Sequence, residues 1–215
     1  MSGAKILIVD DHPLTREGLS LAARAALPGA QIVAAGSIAE ASAAMAGRRS
    51  FRLILLDFAL PDSHGYAGML RLQRRDPDAP IAIVTAHENP RLIEAAKALG
   101  AAGFLYKSLP LDTIAAILRR LLSGATHFPE GVAADRTIAA ARSRIQDLSR
   151  AQYAVLLALA DGRANKQIAH DLQVTEATVK AHLTAVFRKL GVTNRAQALL
   201  AVRPLLQLPE EESAD

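Results

Sequence analysis

The stretch LILLDFALPDSHG, Leu53 to Gly65, places four apolar residues directly before an aspartate and then ends at a proline and a glycine. A short apolar run bounded by turn residues is typical of a strand that is buried on both faces. Asp57 is the last residue of this run. A charge at such a position is costly unless other groups compensate it.

Four further apolar runs of this kind precede Gly124. The five runs are KILIVD, QIVAAG, RLILLD, IAIVTA and GFLYKS. Segments with apolar residues at helical spacing separate them, as in Leu92, Ile93, Ala96 and Leu99. Strands that alternate with helices predict a doubly wound α/β domain, with a five-stranded parallel sheet between two helical layers.

The pattern changes after this first domain, which we assign to residues 1–124. Residues 125–147 contain no strand-like run and predict a linker with a short helix. Residues 148–204 carry only helical patterns, interrupted at DGRAN, LQVT and GVTN, and predict a small all-α domain. The acidic end, residues 205–215, predicts a disordered tail.

The composition is that of a globular chain, with 51% hydrophobic and 21% charged residues and no run long enough to span a bilayer. The absence of cysteine excludes disulfides, thiolate metal sites and cysteine nucleophiles. The N-terminal MSGAKILIVDD leaves no room for a signal peptide, so we predict a cytoplasmic protein without a membrane partner. Residues 144–205 hold nine basic and four acidic side chains, a net charge of +5. This charge suits a polyanionic partner, although a solvated basic face would show the same balance.

Polar side chains close four of the five apolar runs. Asp10 and Asp11 close the first run, and Asp57 ends the third. Thr85 closes the fourth run and Lys107 the fifth. Because the carboxyl ends of parallel strands meet at one edge of a sheet, we expect these groups to lie close together. Three neighbouring carboxylates repel one another unless a cation lies between them, and oxygen ligands favour Mg²⁺, with Mn²⁺ as an alternative.

Such a cluster can carry phosphoryl chemistry. A carboxylate that faces a divalent cation can attack phosphorus and form an aspartyl phosphate. A lysine and a hydroxyl can then neutralise and hydrogen-bond the phosphoryl oxygens. Each residue alone has an ordinary explanation, since an aspartate after a strand often only caps the next helix. The presence of all of them at successive strand ends favours a phosphoryl site.

Residues 1–124 resemble the receiver domains of response regulators, which implies a flavodoxin-like fold. The segments LIVDDHPLTREGL, LILLDFALPDSHG, VTA and AAGFLYKS carry this resemblance along the whole domain. It implies a phospho-acceptor (Asp57), metal ligands (Asp10, Asp11, Asp57 and the backbone carbonyl of Ala59), a switch hydroxyl (Thr85), a phosphate-contacting lysine (Lys107) and an aromatic residue that changes rotamer on activation (Phe104).

The helical domain has recognisable helix starts and one amphipathic helix. Ser149, Asn165 and Thr175 can each cap a helix, and Gly162 suits a left-handed helix end. The helix after Thr175 has a predicted buried face formed by Val179, Leu183, Val186 or Phe187, and Leu190. Its other face suits a major groove and carries Glu176, Ala177, Lys180, Ala181, Thr184 and Arg188. An interaction module with a solvated face fits the same periodicity equally well.

The segment DGRANKQIAHDLQVTEATVKAHLTAVFRKLGVTNRAQAL resembles the LuxR-type helix-turn-helix. The resemblance implies that the helix Thr175 to Leu190 recognises DNA. The implied DNA contacts are Lys180, Ala181 and Thr184 near the bases and Lys166, Thr178 and His182 near the backbone, with Thr175 and Arg188 completing the set. It also implies a dimer seam at Ala198, Leu199 and Val202. Ala151 and Gln152 depart from the family, which usually has an arginine–glutamate pair there.

A receiver joined to this domain is the arrangement of the NarL/FixJ class of two-component response regulators. It implies a sensor histidine kinase that phosphorylates Asp57, double-stranded promoter DNA as a partner, and a homodimer on DNA. It implies no enzyme activity beyond self-phosphorylation from small donors and autodephosphorylation. Two alternatives stay open: a phosphorylation-independent DNA-binding regulator, and an aspartyl-phosphate phosphatase or phosphotransferase. The latter would need a second carboxylate two residues after the nucleophile, where this chain has Ala59.

Overall fold

The structure is a computed structural model that describes residues 4–46, 51–63, 65–129, 143–145, 147–160 and 162–206. The chain divides into two compact units near residue 135. None of the helices in the described ranges combines the length and the apolar character needed to cross a membrane.

The first unit contains the predicted five-stranded parallel sheet. The strands are β1 (Lys5–Val9), β2 (Gln31–Ala35), β3 (Leu53–Asp57), β4 (Ile81–Thr85) and β5 (Gly103–Tyr106). Their order in the sheet is β2-β1-β3-β4-β5, and every pair is parallel. β3 and β4 are buried along their whole length, which explains their continuous apolar sequences. The strand order changes direction at β1 and β3, so a crevice forms beyond their carboxyl ends.

Five helices follow the strands in alternation. They are α1 (Pro13–Ala26), α2 (Ile38–Ala44), α3 (Ala67–Arg75), α4 (Pro90–Ala98) and α5 (Leu111–Leu122). The strands and helices α1 and α5 share one apolar core, whose members include Ile6, Ile8, Leu19, Ala22, Leu53, Leu55, Leu118 and Leu121. This core holds the carboxyl ends of β1 and β3 in a fixed position. Asp10, Asp11 and Asp57, which lie at these strand ends, are therefore held close to one another.

The segment predicted as a linker begins as part of the first unit. His127 forms an isolated parallel bridge with Gly103 on the outer edge of β5. Most of the remaining predicted linker lies outside the described residues, apart from a helical turn over 143–145.

The second unit is helical throughout its described residues, as predicted. Its helices are α6 (Arg150–Ala160), α7 (Asn165–Asp171), α8 (Glu176–Leu190) and α9 (Arg195–Leu206). α9 extends two residues beyond the predicted end of the domain, and the rest of the predicted acidic tail, 207–215, lies outside the described residues.

Three of the four predicted helix-end signals are confirmed in this unit. The hydroxyls of Ser149 and Thr175 accept hydrogen bonds from backbone N–H groups in the first turns of α6 and α8. Gly162 has a φ of 78°, a left-handed value that glycine adopts without strain. The prediction for Asn165 was wrong, because Ala164 occupies the cap position of α7. Ala164 has no side-chain acceptor for the first turn of α7, but Gln167 binds back to it, since its Oε1 accepts the N–H of Ala164 at 2.9 Å.

Candidate functional site

Three of the predicted receiver residues meet at the carboxyl end of the sheet. Lys107 Nζ lies 2.8 Å from Oδ2 of Asp57 and 2.8 Å from Oδ2 of Asp10. Both carboxylates are buried. One ammonium between two carboxylates leaves a net negative charge in a region that water screens poorly.

The pKa shifts of these groups reflect the same imbalance. Burial raises the pKa of Asp57, and the charge of Asp10 adds to this effect, whereas the hydrogen bond and charge of Lys107 oppose it. Burial alone would lower the pKa of Lys107, but its hydrogen bonds to Asp10 and Asp57 outweigh burial and raise it. Lys107 is therefore cationic at neutral pH, while the ionised form of Asp57 is less favourable in the folded protein than in water.

The loop after β1 is held by a network of backbone contacts. Asp10 Oδ1 accepts the N–H of His12 at 2.8 Å, and the N–H of Asp10 donates to the carbonyl of Ala35 at 3.1 Å. Arg16, on the first turns of α1, donates to the carbonyl of Asp10 at 2.6 Å. The sequence pattern does not indicate Arg16, because its spacing from Asp10 has meaning only once α1 folds back over the strand end.

Four side chains offer ligand atoms to a metal ion at this edge. One atom from each of Asp10, Asp11, His12 and Asp57 lies within 4.8 Å of the others. This cluster is compatible with a divalent cation, because the carboxylates outnumber the single ammonium beside them. His12 was not predicted, although its position directly after the acidic pair is a visible signal. Its Nδ1 lies 2.8 Å from Oδ1 of Asp11 and adds a nitrogen atom to an oxygen-rich set.

Thr85 and Ala59 lie beside this cluster, on the strand ends and loop that adjoin it. Thr85 is fully buried, and its hydroxyl oxygen accepts the N–H of His87 at 3.1 Å. The carbonyl of Thr85 accepts the N–H of Lys107 at 2.8 Å, so the ends of β4 and β5 are joined. Ala59 is exposed, and its N–H donates to Oδ1 of Asp57 at 3.2 Å.

Phe104, the predicted switch aromatic, lies in the core of the first unit. Its side chain is fully buried, and its ring packs edge-on against Tyr106 with 5.7 Å between centroids. Phe104 stands opposite Ile83 in the pairing of β4 and β5. A rotamer change at this position would therefore require the neighbouring strand and helices to repack.

The loop that follows Asp57 is held at two points that the sequence pattern does not indicate. The carboxylate of Asp62 accepts the N–H groups of Ile38 and Ala39 at the start of α2, each at 3.0 Å. The hydroxyl of Tyr66 donates to the carbonyl of Leu92 in α4. These contacts attach the loop after β3 to two helices.

The predicted DNA-reading face of α8 is exposed, and its opposite face is buried. Side chains on the outer face are Glu176, Ala177, Lys180, Ala181, Thr184 and Arg188. Those on the inner face are Val179, Leu183, Val186 and Leu190. Lys166 is also exposed, whereas Thr178 and His182 are partly buried at the boundary between the two faces. The separation agrees with the predicted helical periodicity.

Two polar side chains near the outer face of α8, Thr184 and Lys189, already have partners within the unit. The hydroxyl of Thr184 donates to the carbonyl of Lys180 at 3.0 Å, so contact with a base would require it to turn outward. Lys189 Nζ donates to the carbonyl of Asp147 at 2.8 Å and to Oε1 of Gln152 at 2.9 Å. Lys189 thereby joins the end of α8 to the start of α6. Gln152, which departs from the family pattern, thus still forms a polar contact.

The predicted dimer seam on α9 requires a correction. Ala198 and Val202 are buried in the core of their own unit, with 0% and 1% of their surface exposed. Side chains that are covered within the unit cannot also contact a second copy, so the prediction was wrong for these two residues. Leu199 is partly exposed, and the neighbouring Leu200 is 63% exposed. The family resemblance had implied this seam, and a resemblance does not show which side of α9 the unit's own core covers.

Both parts of the chain match known protein families. Residues 6–119 match the response regulator receiver domain family. Residues 146–202 match the family described as bacterial regulatory proteins, luxR family.

Among characterised proteins, the chain is 34% identical over 207 residues to the glycerol metabolism activator of Pseudomonas putida, covering 92% of this chain and 94% of that protein. It is 30% identical over 200 residues to the nitrate/nitrite response regulator NarP of Escherichia coli, covering 91% and 93%.

Two solved structures share this fold. A structure of two RcsB dimers bound to two parallel DNAs matches with a TM-score of 0.53 at 21% identity, covering 94% of this chain and 99% of that chain. A LuxR family DNA-binding response regulator from Silicibacter pomeroyi matches with a TM-score of 0.52 at 31% identity, covering 59% and 98%.

Proposed function

Because this chain belongs to the two-component response regulators that join a receiver domain to a LuxR-type DNA-binding domain, we propose that phosphorylation of Asp57 controls its binding to promoter DNA. A receiver domain implies a histidine kinase as its partner. We assign phosphoryl acceptance to Asp57, and positioning of the phosphoryl group to Thr85 and Lys107.

In the proposed transfer, a carboxylate oxygen of Asp57 attacks the phosphorus of the kinase phosphohistidine. The new O–P bond forms as the N–P bond breaks, and the electron pair of that bond returns to the imidazole nitrogen. Lys107, now paired with Asp57 and Asp10 at 2.8 Å, then turns its ammonium toward the phosphoryl oxygens. The hydroxyl of Thr85, which accepts a hydrogen bond from His87, keeps its own proton available for a phosphoryl oxygen.

Asp10, Asp11, Asp57 and the carbonyl of Ala59 would hold a divalent cation, for which we propose Mg²⁺. When bound, this ion neutralises charge on the carboxylates and on the transferring phosphoryl group. Ala59 is small and exposed beside Asp57, so water has access to the acyl phosphate. We assign no turnover of an external substrate to the protein beyond self-phosphorylation and autodephosphorylation.

For the output, we propose that α8 enters the major groove of promoter DNA. Lys180, Ala181 and Thr184 would face the bases, while Lys166 and Arg188 would contact phosphates. Thr175, Thr178 and His182 would lie near the backbone at the edge of this face. The exposed, basic outer surface of α8 supports this orientation. The protein would act in the cytoplasm as a homodimer on DNA, with the exposed side of α9 at Leu199 as part of the contact.

One observation carries the proposal. Lys107 bridges two buried carboxylates at the carboxyl end of a five-stranded parallel sheet, and a third carboxylate lies within ligand distance. This arrangement concentrates negative charge around a single nucleophile with one mobile ammonium beside it. Such a site favours a divalent cation and a phosphoryl group over other ligands.

The experiment that tests the proposal compares the wild type with Asp57→Asn and Asp112→Asn. Asp112 is an exposed carboxylate at the start of α5 and is the matched control. Each protein is incubated with acetyl phosphate and Mg²⁺, and the phosphoryl adduct is measured by intact mass. Binding to duplexes selected from a random library is then measured by electrophoretic mobility.

The wild type and Asp112→Asn are expected to be phosphorylated and to bind DNA more tightly afterwards. Asp57→Asn is expected to do neither. Equal phosphorylation of Asp57→Asn would refute the assignment of the acceptor. Phosphorylation of the wild type without any change in DNA affinity would instead support a phosphorylation-independent regulator.

A further inference from the structure

The outer edge of β5 is covered by the first residues of the linker. Among the described strands, β5 pairs with β4 alone. On its other side the N–H of Phe104 donates to the carbonyl of His127 at 2.8 Å, and the N–H of His127 donates to the carbonyl of Ala102 at 3.1 Å. We call residues Thr126–Phe128 the linker clasp.

A side-chain contact attaches the linker clasp to α4 as well. The ammonium of Lys97 lies 5.3 Å from the centroid of the Phe128 ring, within the range of a cation–π interaction. His127 and Phe128 are both partly buried. The clasp therefore contacts β5 through its backbone and α4 through an aromatic ring.

Gly103 allows the clasp to approach the strand closely. A Cβ at this position would lie 3.2 Å from the carbonyl oxygen of His127 and 2.9 Å from Cδ2 of Leu121. Leu121 belongs to the apolar core and is only 2% exposed, so it has little room to move. A Cβ at position 103 would therefore require Leu121 to move and would shift the clasp by a few tenths of an ångström from its position on β5.

The same short strand connects the clasp to the phosphoryl site. Lys107 follows the last residue of β5 directly and holds the carboxylates of Asp10 and Asp57. Phe104, whose N–H binds the clasp, is fully buried three residues earlier. A displacement of β5 at Lys107 therefore has to pass along only this one strand to affect the hydrogen bonds of the clasp.

We propose that the linker clasp stabilises the receiver arrangement in which Lys107 bridges Asp10 and Asp57, and that a phosphoryl group on Asp57 weakens it. This inference rests on the proposed function of Asp57. The clasp bonds fit the position that β5 takes while Lys107 binds both carboxylates. When a phosphoryl group attracts Lys107, β5 shifts and the first residues of the linker are released.

Linkage makes this proposal testable without knowledge of the DNA site. If phosphorylation weakens the clasp by some factor, then removal of the clasp must raise the affinity of the receiver for a phosphoryl group by the same factor. His127→Pro removes the N–H that donates to Ala102, whereas His127→Ala keeps both backbone bonds. Gly103→Ala displaces the clasp by a second route. Gly18→Ala is its control, since the nearest atom to an added Cβ there is 3.7 Å away.

The first measurement is amide hydrogen exchange at Phe104 in the full chain. In His127→Pro and Gly103→Ala the exchange is expected to be about ten-fold faster than in wild type, because a clasp that has lost its bond to Ala102, or that an added Cβ displaces, opens more often and uncovers the N–H of Phe104. His127→Ala and Gly18→Ala are expected to match the wild type. Unchanged exchange in both clasp variants would overturn the proposal, because the clasp would then not control the exposure of the Phe104 N–H in solution.

The second measurement is the affinity for beryllofluoride with Mg²⁺, titrated by ¹⁹F NMR. The two clasp variants are expected to bind about five-fold more tightly than wild type and the controls, within the usual range of coupling between sites. Affinities equal to wild type would overturn the proposal while leaving the function of Asp57 intact. A wild type that neither binds beryllofluoride nor is phosphorylated would overturn the proposed function and the clasp coupling together. Gly103→Ala decides the outcome if His127→Pro does not fold.

Discussion

The lysines that we propose to act in the two units, Lys107 and Lys180, lie in opposite environments. In the first unit Lys107 is 18% exposed and lies between two carboxylates that are almost completely buried. In the second unit Lys180 stands exposed on the outer face of α8. Lys107 and its two carboxylates are held in place before any ligand binds, and the loss of one of these groups lowers the free energy of unfolding. Lys180 instead stays solvated until a partner displaces the water. A side chain of the same type can therefore be essential to the fold in one unit and dispensable to it in the other.

The largest expected effect comes from the substitution of Lys107 by methionine. Without its ammonium, Asp10 and Asp57 remain buried with no cation between them. The first unit is expected to lose about 3 kcal/mol of unfolding free energy at pH 7 without divalent cations. Urea denaturation followed by circular dichroism measures this loss, and added Mg²⁺ should restore part of it.

Lys180→Met is the matched control for this experiment. Because Lys180 is exposed, its replacement should change the unfolding free energy of the second unit by less than about 0.5 kcal/mol. A comparable loss of unfolding free energy in Lys107→Met and Lys180→Met would show that the buried lysine is no more important to the fold than the solvated one.

The next effect concerns DNA binding. Lys180→Ala is expected to weaken binding to a selected duplex by about 1–3 kcal/mol while the fold stays intact. A titration of affinity against salt separates a phosphate contact, which lowers the slope by about one, from a base contact. Lys189→Ala is the control, because its ammonium binds Asp147 and Gln152 within the unit. If Lys189→Ala weakened DNA binding and Lys180→Ala did not, the proposed reading face would be wrong.

A smaller effect is expected at the start of α8. The hydroxyl of Thr175 accepts the N–H of Thr178 at 3.1 Å and caps the helix. Thr175→Ala is expected to lower the stability of the second unit by about 1 kcal/mol. Thr175→Ser keeps the capping oxygen and should retain most of the stability in thermal unfolding. A loss for the serine variant equal to that for alanine would show that the methyl group, not the cap, matters.

The smallest effect is a pH dependence at Asp57. Burial raises its pKa above the ordinary value of 3.8, so the folded protein holds this proton to a higher pH than the unfolded chain does. The contribution of Asp57 to stability therefore falls as the pH rises from 3.8 through the folded pKa, and it is constant above that. Asp57→Asn should remove this dependence, which the difference between the two urea-denaturation profiles isolates. If the difference in unfolding free energy between the wild type and Asp57→Asn stays constant from pH 3.8 upward, the pKa of Asp57 is not raised in the folded protein.

Local sequence patterns were sufficient for most elements of both units. Continuous apolar runs correspond to β3 and β4, which are buried on both faces, and helical periodicity correctly separated the inner and outer faces of α8. The seam on α9 that the family resemblance implied was wrong at two of its three residues, because a resemblance does not show which apolar side chains the unit's own core covers. Ala198 and Val202 turned out to be covered by their own unit.

Contacts between distant parts of the chain were beyond prediction. Asp62 caps α2 from 24 residues away, and His127 bonds to β5 after an intervening helix. Neither contact leaves a periodic signal, since each depends on where two loops meet in space. His12 and Arg16 reach Asp10 only because α1 starts directly above the strand end.

The sequence by itself determined the identity and order of the strands, and therefore which polar residues emerge at one edge of the sheet. This follows because burial on both faces demands unbroken apolar runs, and parallel strands place their carboxyl ends together. Only the tertiary structure decided that Lys107 lies midway between Asp10 and Asp57. It also decided that the linker begins on the outer edge of β5, because the open edge of a sheet accepts whichever segment packing brings beside it.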